Sequence, residues 1–91
     1  VHKGTIETAY SILNGEYEVI EAEIIETSEL INKELKETNL PEEIRIGAIL
    51  RGEDIIIPRS NFIFQKDDTV VFLAKNDQIQ IVENMFRISA I

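Results

Sequence analysis

The sequence predicts a two-layer α+β domain in which helices cover one face of a mostly antiparallel sheet. The predicted strands have hairpin spacing, and strands with this spacing pair antiparallel. Two apolar runs flank a short polar turn at Gly52, as in a β-hairpin. Ninety-one residues are enough for one small domain. The expected order is a linker helix followed by a β-α-β-β-β-α core.

The first element is predicted to be a helix over residues 5–13. Apolar side chains recur there with helical spacing, at Ile6, Ala9, Tyr10 and Leu13. Asn14-Gly15 is interpreted as the signal that stops this helix. We therefore predict that residues 1–16 form a linker helix from a preceding domain and that residues 17–91 form the domain itself. The chain lacks an initiator Met, which leads us to expect a fragment of a longer protein.

The next two elements are predicted to be a strand and a helix. Residues 17–26 alternate with period two, which places apolar side chains on one face and Glu21 and Glu23 on the other. Thr27-Ser28 then offers a helix cap, so that residues 29–38 are predicted to be helical. Pro41 ends this helix, because a residue that precedes proline is pushed out of the helical region.

Residues 44–51 and 54–58 are predicted to form the two strands of the hairpin. Gly47 leaves one position without a side chain, which indicates either a bulge or close packing, or else room for a ligand. Both alternatives stay open at this point. Pro58 cannot donate a hydrogen bond to a neighbouring strand, and it therefore marks a strand end or an edge.

The last third of the chain is predicted to hold a brief strand, a central strand and a final helix. Residues 62–64 form a short apolar run, and residues 69–75 are apolar on both faces, which predicts a central strand covered on both sides. Asp67-Asp68 is interpreted as part of a solvated turn. Asn76-Asp77 is expected to cap a helix whose apolar side chains face the sheet, namely Ile79, Val82, Met85 and Phe86.

Composition excludes several classes of function. The net charge of −8 argues against a general nucleic-acid surface and against a polybasic membrane patch. The absence of cysteine excludes disulfides, thiolate nucleophiles and cysteine-based zinc sites. No apolar run approaches the roughly 20 residues that span a bilayer.

The sequence offers no catalytic constellation, so we predict that the domain is not an enzyme. His2 is the only histidine and lies close to the chain terminus, where nothing positions it as a general base. No serine has a histidine nearby, and no Gly-rich phosphate loop occurs. We predict neither catalytic residues nor a metal site.

Arginines are the best candidates for ligand recognition. Arg45 and Arg51 are six residues apart, so they share a strand face if no bulge intervenes. The guanidinium group presents a rigid fork of donors that suits phosphate or carboxylate. The alternative is that each arginine pairs with an acidic residue nearby in sequence, namely Glu42, Glu43, Glu53 or Asp54.

A set of spaced motifs resembles the TrkA C-terminal domain, also called RCK-C, the regulator-of-potassium-conductance C-terminal domain. The matching motifs span residues 28–35, 39–41, 45–49, 51–52, 56–58, 68–72 and 82–86. The resemblance covers about residues 17–88. The preceding segment resembles the connection from an N-terminal nucleotide-binding RCK domain. Asn32 departs from the glycine that is common at that position, although asparagine also tolerates unusual backbone angles.

The resemblance implies a cytoplasmic regulatory domain of a potassium-uptake system of the Trk or Ktr type, held at the inner face of the membrane by its partner. Family members form homodimers, and in some of them the dimer cleft binds cyclic di-AMP. By resemblance, that cleft would be built from Arg45, Ile46, Gly47, Ile57 and Pro58. NAD or ATP would belong to the N-terminal domain, so no cofactor is expected in this segment.

The leading hypothesis is therefore a ligand-sensing and dimerisation domain that couples ligand state to a membrane potassium transporter, without nucleic-acid binding or direct membrane insertion. The alternative is a purely structural oligomerisation module of a cation transporter or channel, with no ligand of its own.

Overall fold

The computed structural model of the protein describes residues 6–87. It contains five strands and one α-helix in that range: β1 Ile6–Ile12, β2 Tyr17–Glu23, β3 Ile44–Arg51, β4 Asp54–Ile56, β5 Thr69–Lys75 and α1 Ile79–Arg87. Three short 3-10 helices occupy Leu13–Gly15, Leu35–Glu37 and Asn76–Gln78.

The five strands form a single sheet in the order β1-β2-β5-β3-β4, and all neighbours are antiparallel. This arrangement confirms the α+β class and the predicted hairpin of β3 and β4. The final strand in sequence, β5, lies at the centre of the sheet, as its apolar character predicted. Only one of its faces is buried within the described residues, however, because Val71 and Leu73 on the second face remain half-exposed.

The helix predicted over residues 5–13 is wrong, because Ile6–Ile12 form strand β1 and Leu13 begins a short 3-10 helix. It pairs with β2 from Ile6 opposite Ala22 to Ile12 opposite Tyr17. The segment also alternates with period two in β-branched and aromatic residues, a pattern that favours a strand. Asn14-Gly15 belongs to the hairpin turn rather than to a helix stop, and both residues have positive φ (57° and 90°). The proposed division at residues 16 and 17 stays a prediction.

The helix predicted over residues 29–38 is also wrong, since only a 3-10 helix forms at Leu35–Glu37. Asn32 adopts a φ of 68°, in the left-handed region, which interrupts a helix. Backbone N–H groups of this segment bond across to residues 60–64 instead, as from Asn32 to the Phe64 carbonyl at 2.9 Å and from Leu35 to the Phe62 carbonyl at 2.8 Å. The predicted brief strand at residues 62–64 is reduced to an isolated bridge between Ile63 and Glu34.

The core lies between one sheet face and a layer made of α1 and the irregular segments. Twelve apolar residues are buried there: Ile20, Ala22, Ile24, Leu30, Ile44, Ile49, Phe64, Val70, Phe72, Ala74, Val82 and Met85. Val82 and Met85 confirm that the final helix faces the sheet. The 3-10 helix Asn76–Gln78 that leads into α1 has no side-chain cap, and the Asn76 Nδ2 donates instead to the Gly15 carbonyl at 3.0 Å.

A bulge in β3 decides which way the arginines point. The pairing with β5 shifts between Ile46 and Ala48, so that Gly47 is the extra residue. A Cβ atom at Gly47 would meet the Val71 carbonyl oxygen at 3.6 Å, an ordinary contact. The bulge moves Arg51 to the core face, beside buried Ile49, while Arg45 stays on the opposite face, so the two do not share a face.

Candidate functional site

The candidate site is a groove at the outer edge of β3. Strand β4 pairs with β3 only from Ile49 to Arg51, which leaves the first half of β3 without a strand on that side among the described residues. The 3-10 helix Leu35–Glu37 and the loop that follows it border this edge. The resulting groove has a volume of about 390 Å³ and is lined by Leu35, Lys36, Thr38, Asn39, Leu40, Arg45, Ile46 and Pro58. This volume is at the lower end of the roughly 300–1,000 Å³ that is usual for small-molecule sites.

The charges that line the groove are both positive, although the chain as a whole carries −8. Arg45 is exposed, and it forms no hydrogen bond or ion pair with any other residue in the described part of the chain. Lys36 makes an exposed ion pair with Glu34, in which Nζ and Oε1 are 3.4 Å apart. Exposed pairs of this kind contribute little stability, so an incoming anion can compete for the ammonium group. The groove is therefore suited to an anionic ligand with apolar parts.

The loop wall of the groove is fixed by local backbone geometry. Thr38 is buried, and its hydroxyl donates to the Leu35 carbonyl at 2.7 Å, which closes the turn. Asn39 follows with a φ of 54°, a left-handed conformation that asparagine tolerates better than most residues do. The Ile44 N–H then donates to the Pro41 carbonyl at 3.1 Å. These contacts hold Lys36 and Arg45 on opposite walls of one groove.

The structure brings three of the five predicted site residues together, since Arg45, Ile46 and Pro58 all line the groove. Ile57 does not line it and is 72% exposed. Gly47 sits at the β-bulge and is exposed, so its role in a site stays a prediction. His2 lies outside the described residues.

The second candidate arginine has a structural partner. The Arg51 Nε donates to Asp68 Oδ1 and its Nη2 to Oδ2, both at 2.8 Å, while Nη2 also donates to the Ile63 carbonyl at 3.1 Å. Its guanidinium lies over the Phe62 ring, 5.0 Å from the centroid. The hydrogen bonds with Asp68 raise the pKa of Arg51, against a smaller opposing effect of burial.

Asp68 is therefore not part of a solvated turn, because only 1% of its surface is exposed. Its carboxylate also accepts a hydrogen bond from the Gln65 N–H at 2.9 Å. The acidic neighbours proposed for Arg51 are not its partners. The Arg51–Asp68 pair instead connects the end of β3 with the loop before β5. The two residues are 17 positions apart in sequence.

Sequence reasoning missed the loop wall of the groove, namely Lys36, Thr38 and Asn39. A predicted helix over residues 29–38 would have turned Lys36 towards solvent on a helix surface. The two asparagines that adopt positive φ, Asn32 and Asn39, were the available signal that the segment is not helical.

The described residues form no second groove whose charged side chains are all positive. A depression of about 460 Å³ collects both acidic and basic side chains, from Glu26, Lys66 and Asp67. Between residues 6 and 87, no group of three His, Cys, Asp or Glu side chains is arranged to hold a metal ion. No helix in the described range has both the length and the apolar character needed to cross a bilayer.

Comparisons with known proteins identify the family. The TrkA-C domain family matches residues 19–87. The Trk system potassium uptake protein TrkA of Azorhizobium caulinodans is 38% identical over 89 residues, which are 98% of this chain and 19% of that protein. The corresponding protein of Haemophilus influenzae is 33% identical over 94 residues, covering 99% of this chain and 20% of its own length.

An archaeal relative, the Trk system potassium uptake protein TrkA homolog of Archaeoglobus fulgidus, is 36% identical over 64 residues, which are 70% of this chain and 15% of that protein. The chain thus spans about a fifth or less of the length of these curated relatives. The family match extends from β2 through the groove to α1. The chain belongs to the TrkA-C domain family.

Proposed function

We propose that this chain is a regulatory domain of a Trk-type potassium-uptake system. The observation that carries the proposal is the TrkA-C match over residues 19–87, together with relatives that are named Trk system potassium uptake proteins. The domain acts as part of a longer protein, behind an N-terminal RCK domain, and its partner is a membrane potassium transporter. It works in the cytoplasm and carries out no catalysis of its own.

The groove at the edge of β3 is the proposed ligand site, and cyclic di-AMP is the proposed ligand. Arg45 supplies the main phosphate contact, because its guanidinium is exposed and has no partner within residues 6–87. Lys36 supplies a second positive charge from the opposite wall. Ile46, Leu40 and Pro58 offer apolar surface for a nucleobase. Two copies of the chain share the ligand, so that Ile57 and Gly47 of each copy border the joint cleft.

The mechanism follows from linkage. A ligand shared by two protomers stabilises the relative orientation in which both grooves contact it. It changes the transporter only to the extent that it binds one orientation more tightly than the other. In this proposal, a rise in ligand concentration increases the fraction of protomer pairs that have the ligand-bound orientation.

Isothermal titration calorimetry with cyclic di-AMP and with ATP tests the ligand proposal. We expect saturable heat with cyclic di-AMP that is lost in Arg45→Ala. Arg59→Ala is the matched control, because Arg59 is also exposed but does not line the groove. Absence of heat with both nucleotides would favour the alternative function, a structural oligomerisation module without a ligand.

A further inference from the structure

The loop wall of the groove also depends on a segment that is distant in sequence. The Leu35 N–H donates to the Phe62 carbonyl at 2.8 Å, and the Lys36 N–H donates to the Ser60 carbonyl at 2.9 Å. A single helical turn is not stable by itself in water, so the 3-10 helix of this wall needs such partners. The position of Lys36 therefore depends on residues 60–64, which we call the supporting segment.

The supporting segment has two edges, and only one of them faces the loop wall. The Phe62 carbonyl and the Phe64 N–H bond to residues 32–36, on either side of the antiparallel bridge between Ile63 and Glu34. Successive residues of an extended chain direct their backbone groups to opposite sides. The Ile63 carbonyl therefore points away from the loop wall, and its hydrogen-bond donor comes from another part of the fold.

Arg51 occupies this second edge. Its Nη2 donates to the Ile63 carbonyl at 3.1 Å, and its guanidinium lies 5.0 Å from the centroid of the Phe62 ring. The Phe62 ring meets the buried Phe64 ring edge to face, with 5.3 Å between the centroids. Two hydrogen bonds from the guanidinium to Asp68 fix its orientation. The supporting segment is thus held between Arg51 on one edge and the loop wall on the other.

We propose that Arg51 is a positioning residue for the ligand groove, although its side chain does not line the groove. Arg51 orders the supporting segment, and the supporting segment sets the position from which Lys36 contacts a bound phosphate. The ligand part of this inference rests on the proposed function, whereas the ordering of the loop wall requires no ligand. Loss of the Arg51 contacts is expected to loosen the loop wall and to weaken binding, while every group that touches the ligand is still present.

Two variants remove these contacts without removing the positive charge beside Asp68. In Arg51→Lys, a single ammonium group replaces the planar fork, so it cannot bond Asp68 and the Ile63 carbonyl together while stacking on the Phe62 ring. Phe62→Leu removes the ring and keeps the backbone carbonyl that supports the loop wall. Arg59→Ala is the control, because the Arg59 side chain is exposed and takes no part in these contacts.

Amide hydrogen exchange, followed by NMR on the 91-residue chain, tests the ordering of the loop wall without a ligand. The Leu35 and Lys36 amides are expected to exchange about tenfold faster in Arg51→Lys, which loses a hydrogen bond from a charged donor. In Phe62→Leu, which loses only the cation–π contact, the increase is expected to be about threefold.

The Asn76 amide is the internal reference for this exchange experiment. It donates to the Glu16 carbonyl at 2.8 Å, outside the contacts of Arg51, and its exchange is expected to stay unchanged in both variants. Unchanged exchange at Leu35 and Lys36 would overturn the inference. An equal increase at Asn76 would overturn it as well, because the variants would then act only on the stability of the whole domain.

A double-mutant cycle tests the effect on the ligand, by calorimetry with cyclic di-AMP where all variants are folded. Lys36→Ala is expected to weaken binding about tenfold, because it removes a charged contact to phosphate. Arg51→Lys is expected to weaken binding at least about threefold in the wild-type chain and less than about twofold in the Lys36→Ala chain, since Arg51 acts through Lys36. Arg59→Ala is expected to keep the wild-type affinity. Additive losses in the cycle would overturn the inference.

The two measurements separate failure of this inference from failure of the ligand proposal. Faster exchange at Leu35 and Lys36, together with absence of nucleotide heat in the wild type, would support the role of Arg51 in ordering the loop wall and reject cyclic di-AMP as the ligand. Nucleotide heat in the wild type, together with unchanged exchange in both variants, would reject the inference and leave the ligand site in place.

Discussion

The Arg51 guanidinium binds both carboxylate oxygens of Asp68, at 2.8 Å each, and so joins the turn end of β3 to the loop that leads into β5. Asp68 is almost entirely buried, whereas about a third of the Arg51 side chain is exposed. The Asp68 backbone also accepts a hydrogen bond from the Ile24 N–H at 2.8 Å, at the end of β2. Three separate parts of the chain thus meet at one carboxylate residue.

Removal of the guanidinium is expected to destabilise the domain. Arg51→Ala leaves the buried Asp68 carboxylate without its cation, and breaking such a pair costs about 3 kcal/mol, at the lower end of the usual range because Arg51 is partly solvated. Urea denaturation measures the change in the free energy of unfolding. Arg59→Ala is the control and is expected to stay within about 0.5 kcal/mol. Equal stability of the two variants would contradict the structural role of Arg51.

The pH dependence of this pair is expected to distinguish arginine from lysine. Asp68 raises the pKa of Arg51 in the folded state, so the contribution of Arg51 is fully present below the ordinary arginine pKa and is lost only as pH rises beyond the raised value. The stability difference between wild type and Arg51→Ala should therefore not decline between about pH 7 and pH 10. In Arg51→Lys the corresponding contribution should fall as pH passes about 10.4, the ordinary lysine pKa, by an amount that urea denaturation at each pH reports. A steady decline of the stability difference between wild type and Arg51→Ala from about pH 7 to pH 10 would refute this assignment.

A buried hydroxyl anchors α1 to the turn after β2. The Ser28 Oγ donates to the Met85 carbonyl at 2.8 Å and accepts from the Leu30 N–H at 3.1 Å. Ser28→Ala leaves both groups without this partner, which costs about 1–3 kcal/mol. Thermal or urea unfolding detects the loss, and Ser60→Ala is the control, because Ser60 is exposed. A loss no greater than that of the control would show that the hydroxyl does not anchor α1.

The two glycines of the hairpin are expected to respond differently to alanine. Gly52 has a φ of 62°, so Gly52→Ala costs about 1–2 kcal/mol in backbone strain. Gly47 has no positive φ and its Cβ position is in ordinary contact, so Gly47→Ala should cost less than about 1 kcal/mol.

This contrast also separates the two interpretations of Gly47. If the position only forms the bulge, Gly47→Ala retains the calorimetric response to cyclic di-AMP. If the missing side chain leaves room for the ligand, the same variant keeps its stability and loses the heat. A large loss of stability in Gly47→Ala would contradict both interpretations of Gly47.

Local patterns in the sequence were sufficient for much of the sheet. Period-two alternation predicted β2, and the two apolar runs around Gly52 predicted the β3-β4 hairpin. The apolar character of residues 69–75 predicted the central position of β5. These features depend on neighbours along the chain and on burial, both of which the sequence records directly.

The two wrong helices had different physical causes. Residues 6–12 fit both a helical and a strand period, and pairing with β2 decided between them. In the segment 29–38, the backbone N–H groups of Asn32, Leu35 and Lys36 donate to carbonyls of residues 60–64, a long-range pairing that propensity does not predict. The predicted set of site residues lacked Lys36 for the same reason, since Lys36 reaches the groove only when this segment is not helical. Asp68 escaped notice because burial of a turn carboxylate depends on Arg51, which is distant in sequence.

Alternate residues of β5 are expected to respond differently to truncation. Val70 lies on the core face and is fully buried, whereas Val71 lies on the opposite face of the sheet and is half-exposed. Val70→Ala removes buried methyl groups and leaves a cavity, which costs about 2–3 kcal/mol in the free energy of unfolding. Val71→Ala removes the same atoms from a half-exposed position, so it should cost less than about 1 kcal/mol. Urea denaturation of the two variants measures both losses. A loss in Val71→Ala as large as that in Val70→Ala would contradict the one-sided burial of β5, because only Val70 is enclosed by the core.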